Sequence, residues 1–215
     1  MASWENWFRP WEADESGLVA VGGVWDSDFI YAAYLRGCFP WPVEGLPILW
    51  FSPNPRGILE LSHFHVGRTL RKILKNHPWT VTYNNAFPKV MELCRDIHHR
   101  RQGSTWILPE MIRPYTELWE RGKALSVELW NHQGDLVGGI YGVLTPRYFS
   151  AESMFYLEPN ASKVALYLLM QHLHDRYQMV WLDIQMLTPV TQSLGGQWIS
   201  RAQFLKRIGV EVPYS

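Results

Sequence analysis

The chain has little cysteine, no long apolar run and no leader-like start. Its two cysteines among 215 residues, Cys38 and Cys94, are too few for a disulfide framework and match no metal-ligand spacing. We therefore expect no metal site and a reducing compartment. No segment reaches the ~18 uninterrupted apolar residues that a membrane span requires. No basic region followed by an apolar stretch opens the chain, so no signal peptide is predicted. We expect a cytoplasmic monomer without a membrane segment.

Motifs of several catalytic classes are also missing. There is no Gly-x-Ser-x-Gly elbow, and neither cysteine has a persuasive histidine partner, which disfavours covalent catalysis. The glycines of Val137–Gly142 lie inside a predicted strand and open no helix, which argues against a nucleotide phosphate loop. The pairs His63-Phe64-His65 and His98-His99 have no cysteine or carboxylate at ligand spacing, so a surface position is favoured over metal binding.

The net charge of zero hides an uneven distribution. Between residues 63 and 103, eight lysines and arginines accompany only two acidic residues. Four of the basic residues recur at helical spacing and share one face, namely Arg68, Arg71, Lys72 and Lys75. Such a face suits a phosphate backbone, while four charges by themselves are more typical of a solvated helix surface. Both interpretations stay open on the sequence alone.

Tryptophan is unusually frequent, with 12 residues. Most are expected in the core, but Trp41 lies between two prolines and Trp106 follows Thr105, which are loop-like surroundings. An exposed tryptophan near a basic surface can stack a nucleic-acid base, and each such contact contributes about 1–3 kcal/mol. Composition does not identify which tryptophan does so.

The periodicity of apolar residues predicts an α+β protein with two lobes. Residues 1–103 form a small N-terminal α/β lobe with helices at 26–36, 66–76 and 85–95, a strand at 79–83 and a linker at 98–104. Residues 104–215 hold a helix at 110–122, strands at 125–130, 136–144 and 148–155, a helix at 162–177 and a strand at 179–186. A meander, a crossover helix and a strand beside the meander's last strand indicate an acetyltransferase-like (GNAT) lobe with a mixed, mainly antiparallel sheet.

Polar residues on two of these strands form the main candidate site. Alternation places Asp183 and Gln185 on one face of the last strand, and Glu152 lies on the strand before the crossover helix. An acid or amide buried without a partner costs roughly 1–3 kcal/mol. These groups are therefore either hydrogen-bonded in the core or part of a cleft, and the sequence favours neither.

The turn before the crossover helix differs from that of acetyl-CoA enzymes. Those enzymes have Arg/Gln-x-x-Gly-x-Gly/Ala there, and its backbone amides hold the pyrophosphate. This chain has Tyr156-Leu-Glu-Pro-Asn-Ala-Ser-Lys163 instead. We therefore expect no cofactor and an acyl group that comes from a donor other than CoA.

A series of longer motifs occurs in order along the chain. They are Gly17-Leu-Val-Ala-Val-Gly-Gly23, Ala33-Tyr-Leu-Arg-Gly-Cys-Phe-Pro-Trp41, Pro47-Ile-Leu-Trp-Phe-Ser-Pro-Asn-Pro-Arg56, Thr105-Trp-Ile107, Ser126-Val-Glu128, Leu136-Val-Gly-Gly-Ile-Tyr-Gly-Val143, Glu152-Ser-Met-Phe155, Asn160-Ala-Ser-Lys163, Asp183-x-Gln185 and Ser193-Leu-Gly195. With these motifs the chain resembles the leucyl/phenylalanyl-tRNA–protein transferase family over nearly its whole length.

The resemblance implies a bacterial enzyme that transfers Leu or Phe, and more weakly Met, from aminoacyl-tRNA to the N-terminal Arg or Lys of a protein. That tag marks the protein for N-end-rule degradation. The resemblance also implies site residues. The terminal adenosine would be clamped by Trp41 and Trp106, and the tRNA backbone would lie on the face of Arg68, Arg71, Lys72 and Lys75. The aminoacyl pocket would contain Ile140, Phe149 and Met154, with Ala151 beside it in place of the usual Gly. The reaction centre would consist of Glu152, Asp183 and Gln185.

An activated ester leaves such an enzyme with three tasks, which are to orient an amine, remove its proton and stabilise an oxyanion. Asp183 could fix the amine or Gln185, and Glu152 could attract the cationic N-terminal residue. Which group takes the proton stays open. Two other functions also stay open, a CoA-dependent N-acetyltransferase and a non-catalytic tRNA-binding protein.

Overall fold

In a computed structural model, which describes residues 4–212, the chain forms seven α-helices and ten β-strands. The helices are α1 Ser27–Leu35, α2 Arg68–Lys75, α3 Phe87–Gln102, α4 Pro109–Glu120, α5 Ala161–Tyr177, α6 Pro189–Ser193 and α7 Arg201–Ile208. The strands are β1 Leu18–Val21, β2 Phe39–Pro40, β3 Leu49–Phe51, β4 Arg56–Glu60, β5 Thr80–Tyr83, β6 Ala124–Trp130, β7 Leu136–Leu144, β8 Phe149–Tyr156, β9 Trp181–Gln185 and β10 Gln197–Ile199. Three short 3₁₀ helices complete these elements, at Trp4–Trp7, Pro10–Glu12 and Leu61–His63.

Seven strands form one sheet in the order β10-β4-β9-β8-β7-β6-β5. β8 and β9 are parallel, and the other neighbours in this sheet are antiparallel. The meander β6-β7-β8, followed by α5 and then by β9 beside β8, is the predicted GNAT-like core, so the predicted fold class is confirmed. The division into lobes at residue 103 stays a prediction, and β4 and β5, which precede it, join the same sheet as the strands that follow it.

Helices cover both faces of the large sheet. α3 and α4 pack on one face together with α1, and α5 packs on the other. All nine residues of β7 are buried as a result. A strand covered on both sides is apolar throughout rather than alternating, which explains the continuous apolar run of Leu136–Leu144.

Gly138 shows why glycines occur inside β7. A Cβ at this position would lie 2.5 Å from the Cβ of Ala161, the first residue of α5. The glycine therefore allows the start of the crossover helix to approach β7 closely.

The predicted linker at 98–104 is wrong. α3 continues to Gln102, and Gly103 ends it with a φ of +74°. The polar and basic residues of this segment suggested a linker, but most of them belong to α3. On the buried face of α3, Val90, Cys94 and Ile97 recur at helical spacing. That buried stripe is what continues the helix past residue 95.

The first 60 residues contain more structure than the sequence predicted. The helix predicted at 26–36 is confirmed as α1, and the Asp26 side chain caps it by accepting from the backbone N–H of Asp28 and Phe29. A separate three-stranded sheet, in the order β1-β3-β2, was not predicted. Its strands are only two to four residues long, too short for a periodic signal. None of the helices in residues 4–212 is long and apolar enough to cross a membrane.

Candidate active site

Glu152 occupies a β-bulge in β8. The pairing of β8 with β7 skips one residue between Ala151 and Ser153, so Glu152 has no partner across the ladder. Gly142 on β7 permits this geometry, because a Cβ there would collide with the carbonyl oxygen of Ser150. A bulge takes its extra residue out of the regular alternation and is over-represented beside active sites.

The parallel ladder between β8 and β9 is short and stops next to this bulge. The two strands pair at only two positions, and the second is Ser150 with Asp183. Glu152 and Gln185 lie just beyond that point. β9 has a bulge of its own, at Ile184, in its pairing with β4. The backbone pairing of the two strands therefore ends at the predicted candidate site, and this interruption of the ladder is called the β8–β9 gap below.

Gln185 has an unusual backbone conformation at the edge of the gap. Its φ is +59°, in the left-handed region that few residues other than glycine adopt. Gly57 of β4 lies opposite, where a Cβ would come within 3.1 Å of the carbonyl carbon of Met186. The side-chain Nε2 of Gln185 donates a hydrogen bond of 2.9 Å to Oε1 of Glu152. Strained conformations of this kind cluster at functional sites.

Asp183 is buried, and both of its carboxylate oxygens are fully used. Arg56 donates to Oδ1 from Nε at 2.8 Å and to Oδ2 from Nη2 at 2.7 Å. The backbone N–H of Gln185 also donates to Oδ1 at 2.9 Å, and the Ser150 hydroxyl donates to Oδ2 at 3.1 Å. Four donors account for the roughly four acceptor positions of a carboxylate. Of the two alternatives for Asp183, the hydrogen-bonded core position is correct.

Arg56 is the site residue that the sequence interpretation missed. Its side chain is fully buried, with the guanidinium 4.7 Å from the ring of Phe39 and 4.4 Å from that of Phe204. Burial lowers the pKa of Arg56, but the facing carboxylate of Asp183 more than offsets this, so the pKa is raised and the group stays charged. The available signal was the position of this arginine, two residues before the apolar pair Ile58-Leu59. A cation in such a buried strand requires a partner.

Glu152 differs from Asp183 in having one free oxygen. Oε1 is bonded to Gln185, while Oε2 is buried without a hydrogen-bond partner among the described residues. Burial is the main cause that raises the pKa of Glu152 to about 7, and the charge of Asp183 adds to it. The Tyr34 and Ser150 hydroxyls and the Gln185 amide act in the opposite direction. Neither hydroxyl forms a hydrogen bond with Oε2, since Ser150 donates to Asp183 and the Tyr34 hydroxyl lies 2.8 Å from that of Tyr115, where either can be the donor.

The structure brings Glu152, Asp183 and Gln185 into one hydrogen-bonded group, and their catalytic role stays a prediction. The four residues of the predicted aminoacyl pocket form a second group. Ile140 and Phe149 are buried in the core under α5, and Ala151 and Met154 are half-buried against that core. The first group belongs to the other face, beside Tyr34 and Tyr115. The two groups therefore lie on opposite sides of β8, and the β8–β9 gap is next to both.

The predicted adenosine clamp is closed on itself. The rings of Trp41 and Trp106 are stacked, with centroids 5.6 Å apart and planes inclined by 14°. Each contact layer between aromatic carbons takes about 3.5–4.0 Å. A base between the two rings would need two layers, so it either stacks on an outer face or requires the rings to separate. Both tryptophans pack against the core that holds Tyr34, on the same face of the sheet as Glu152.

α2 has the predicted amphipathic form. Leu70, Ile73 and Leu74 pack toward the core under α5. The four basic side chains Arg68, Arg71, Lys72 and Lys75 are exposed. None of the four pairs with an acidic side chain within residues 4–212. Free basic groups are available to a polyanion, and tRNA binding by this face stays a prediction.

A groove of about 850 Å³ runs between the end of α3 and the loop before α4. Thr105 and Ile107, on either side of Trp106, contribute to its wall. Its charged lining mixes Arg95, His99 and Arg100 with Glu44, Asp96 and Glu110, so charge favours neither an anion nor a cation. Glu152, Asp183 and Gln185 are not part of this lining.

Two family models match the chain. That of the leucyl/phenylalanyl-tRNA protein transferase N-terminal domain matches residues 26–54, and that of leucyl/phenylalanyl-tRNA protein transferase matches residues 58–209. A leucyl/phenylalanyl-tRNA protein transferase of Maridesulfovibrio salexigens is 44% identical over 92% of this chain and 82% of its own length. One of Syntrophobacter fumaroxidans is 41% identical over 94% of this chain and 85% of its own length. The chain belongs to the leucyl/phenylalanyl-tRNA protein transferase family. It is therefore an aminoacyltransferase, as the resemblance predicted.

Solved structures with a similar fold are more distant. L-PGS from Bacillus licheniformis is 14% identical, with 64% of this chain and 48% of that chain covered and a TM-score of 0.42. A GCN5-related N-acetyltransferase-like protein from Streptococcus suis is 15% identical, with 81% and 64% covered and a TM-score of 0.41. The fold assignment rests instead on the order and direction of strands β6 to β9.

Proposed function

We propose that this enzyme transfers Leu or Phe, and more weakly Met, from aminoacyl-tRNA to the N-terminal Arg or Lys of proteins. The product has one new peptide bond and is marked for N-end-rule degradation. Membership of the family supports the transfer. The observation that carries the proposal is the hydrogen-bonded group of Glu152, Asp183 and Gln185 at the β8–β9 gap. We further propose that the enzyme works as a cytoplasmic monomer.

The aminoacyl ester fits the β8–β9 gap for a chemical reason. Its apolar side chain requires an apolar wall, which Ile140, Ala151 and Met154 offer on the α5 face. Its carbonyl and the attacking amine require polar groups, which Glu152 and Gln185 offer on the other face. A substrate in the gap would meet both groups at once, although their side chains belong to opposite faces of β8.

The tRNA itself has two proposed contacts. The exposed face of Arg68, Arg71, Lys72 and Lys75 is on the α5 side of the sheet, while Trp41 and Trp106 are on the α1 and α4 side. The tRNA body would contact the basic face through its phosphates, and the terminal adenosine would stack on the tryptophans. The bound nucleic acid therefore crosses from one face of the sheet to the other.

A CoA-dependent acetyltransferase is the alternative that shares this fold. CoA enzymes of this fold bind pyrophosphate on backbone amides at the start of the crossover helix. Here Glu158 lies three residues before Ala161, the first residue of α5, and its carboxylate accepts a hydrogen bond from the indole Nε1 of Trp79. A fixed negative charge at this position opposes a pyrophosphate, which favours the aminoacyl-tRNA donor.

One assay separates the candidate functions. The protein is incubated with tRNA that carries labelled Leu or Phe and with a peptide that begins with Arg or Lys. We expect label to reach the N-terminus of the peptide, and to reach a peptide that begins with Ala far more slowly. Binding of charged tRNA without transfer would favour the non-catalytic protein, and transfer of an acetyl group from CoA would favour the acetyltransferase.

Charge reversal on α2 tests the tRNA-binding face. We expect Arg68→Glu with Lys72→Glu to weaken tRNA binding and to reduce the slope of log affinity against log salt by about two, since each lost phosphate contact removes about one unit. Transfer at saturating tRNA should persist. The control is Arg113→Glu with Lys206→Glu, which changes the charge equally at exposed positions on α4 and α7. A slope that stays the same in both variants means that the α2 face is only solvated.

Ala151→Gly tests the aminoacyl pocket. The Cβ of Ala151 is half-buried on the face that holds Ile140 and Met154, so its removal enlarges the proposed pocket. One methyl group shifts discrimination by about 1–3 kcal/mol, and Phe is the bulkier substrate. We expect the ratio of kcat/KM for Phe-tRNA to that for Leu-tRNA to rise about tenfold or more. Ala20→Gly, in the small sheet, should leave the ratio unchanged, and an unchanged ratio in Ala151→Gly removes this Cβ from the pocket.

A further inference from the structure

We propose that Oε2 of Glu152 takes the proton from the attacking amine, and that Asp183 is an anchor which orients Gln185 and takes no proton. This assignment rests on the proposed function and adds the identity of the proton acceptor. Three residues lie close together in the site, and two of them are acids. The hydrogen bonds around each acid distinguish their roles.

Asp183 has no capacity left for a substrate. Its four hydrogen bonds come from Arg56, Ser150 and the Gln185 backbone, and its side chain is fully buried. A proton on either oxygen would displace one of these donors and break the ion pair with Arg56. The Gln185 backbone bond connects this rigid pair to the residue that carries the unusual φ. Asp183 thus fixes the position from which the Gln185 amide reaches Glu152.

Glu152 has the capacity that Asp183 lacks. Its Oε1 is held by Gln185, which sets the direction of the carboxylate, while Oε2 is buried without a partner. A buried polar atom without a hydrogen bond is costly, and such an atom requires an explanation in the function of the protein. Glu152 lies in a bulge next to the end of the β8–β9 ladder, and a substrate would reach its buried Oε2 by entering between these unpaired strand edges.

Glu152 has a pKa near neutral, unlike the tyrosines that surround it. Tyr34 of α1, Tyr115 of α4 and Tyr141 of β7 surround it, and burial raises the pKa of each well above its usual value. Asp183 of β9 is held in its ion pair with Arg56 of β4. The pKa of Glu152 itself is raised to about 7, mainly by burial. A general base works best when its pKa is near the working pH.

The proton balance closes within the site. The neutral amine attacks the ester carbonyl carbon, a C–N bond forms, and the amine proton moves to Oε2 of Glu152. When the tetrahedral intermediate collapses, the bond from carbon to the ribose oxygen breaks and that oxygen takes the proton from Glu152. Glu152 returns to its ionised form, and the products are the peptide bond and the free hydroxyl of the tRNA. Arg56 and Asp183 keep their charges throughout.

The experiment compares the pH dependence of kcat/KM in the wild type and in Glu152→Gln, with the same charged tRNA and acceptor peptide. Each group that must lose a proton adds one unit to the slope of log kcat/KM against pH on the acid side. We expect the slope between pH 5 and 6 to be one unit lower in Glu152→Gln than in the wild type. We also expect kcat/KM at pH 8 to fall by about 10²–10⁴, the usual contribution of a general base. Affinity for charged tRNA should be unchanged.

Variants at Asp183 are the matched control. Asp183→Asn should reduce transfer but keep the wild-type slope, because Asp183 takes no proton. If that variant does not fold, Ser150→Ala weakens only one of the bonds to Asp183 and should also keep the slope. The proposal is overturned if Glu152→Gln keeps the wild-type slope, or if an Asp183 or Ser150 variant loses one unit. A wild type that transfers no label at any pH contradicts the transferase function itself, which is a different result.

Discussion

Arg56→Met should lower the free energy of unfolding by about 3–5 kcal/mol. The Arg56–Asp183 pair is completely buried, and methionine would leave the Asp183 carboxylate without a counter-charge in the core. Removal of one partner from a buried pair costs this much, because the remaining charge has lost its solvent and its partner. Methionine is chosen because its flexible apolar side chain adapts to the neighbouring rings of Phe39 and Phe204. The measurement is the denaturant midpoint at pH 7 for wild type and variant, with the slope checked for two-state behaviour.

A double-mutant cycle separates the charge effect from packing. Arg56→Met with Asp183→Leu removes both charges, so the double variant should be more stable than the sum of the two single changes predicts. Arg56→Lys is the conservative comparison. Lysine keeps the charge but cannot form the two parallel bonds to Asp183. We expect a smaller loss of stability from it than from methionine. Additive free energies in the cycle mean that the pair does not stabilise the fold by charge.

Long segments allowed most elements of residues 104–215 to be predicted. β6, β7, β8 and α5 lie within a residue or two of their predicted bounds, because each carries an apolar pattern or a continuous apolar run over seven residues or more. Short elements failed for the opposite reason. β4 has five residues and reads as the end of a proline-rich loop, yet it completes the sheet beside β9. Its place depends on pairing with a strand more than 120 residues later, which no local pattern shows.

The candidate site was predicted in its residues but not in its geometry. Alternation predicted that Asp183 and Gln185 share a face. In the structure Ser150 donates a hydrogen bond to Asp183, and Gln185 donates one to Glu152. The bulge at Glu152 and the left-handed φ of Gln185 were not predicted, since both arise from strand pairing rather than from residue type. Arg56 was missed because its partner lies 127 residues away in the chain. The stacked contact between Trp41 and Trp106 likewise depends on the tertiary fold.

The wild type should be less stable than Glu152→Gln above pH 7, and the difference should disappear in acid. Burial raises the pKa of Glu152 to about 7 from its usual 4.5. The folded protein therefore binds this proton more tightly than the unfolded chain does. This contribution to stability is complete below pH 4.5 and is lost as the pH rises through 7. Integration over the shift gives about 3 kcal/mol at most.

Glutamine reproduces the protonated form of Glu152, which makes the comparison direct. Its side-chain oxygen can accept the bond from Gln185, and its NH₂ stands where the proton on Oε2 would be. His98 and His172 have lowered pKa values, mainly from burial, so they raise stability with pH in both proteins and cancel in the difference. The measurement is the Tm of both proteins at pH 5 and pH 8, where each kcal/mol corresponds to about 2–4 °C for a chain of this size. We expect similar Tm values at pH 5 and a higher Tm for Glu152→Gln at pH 8. A Tm difference that does not change with pH would mean that Glu152 titrates alike in the folded and unfolded states.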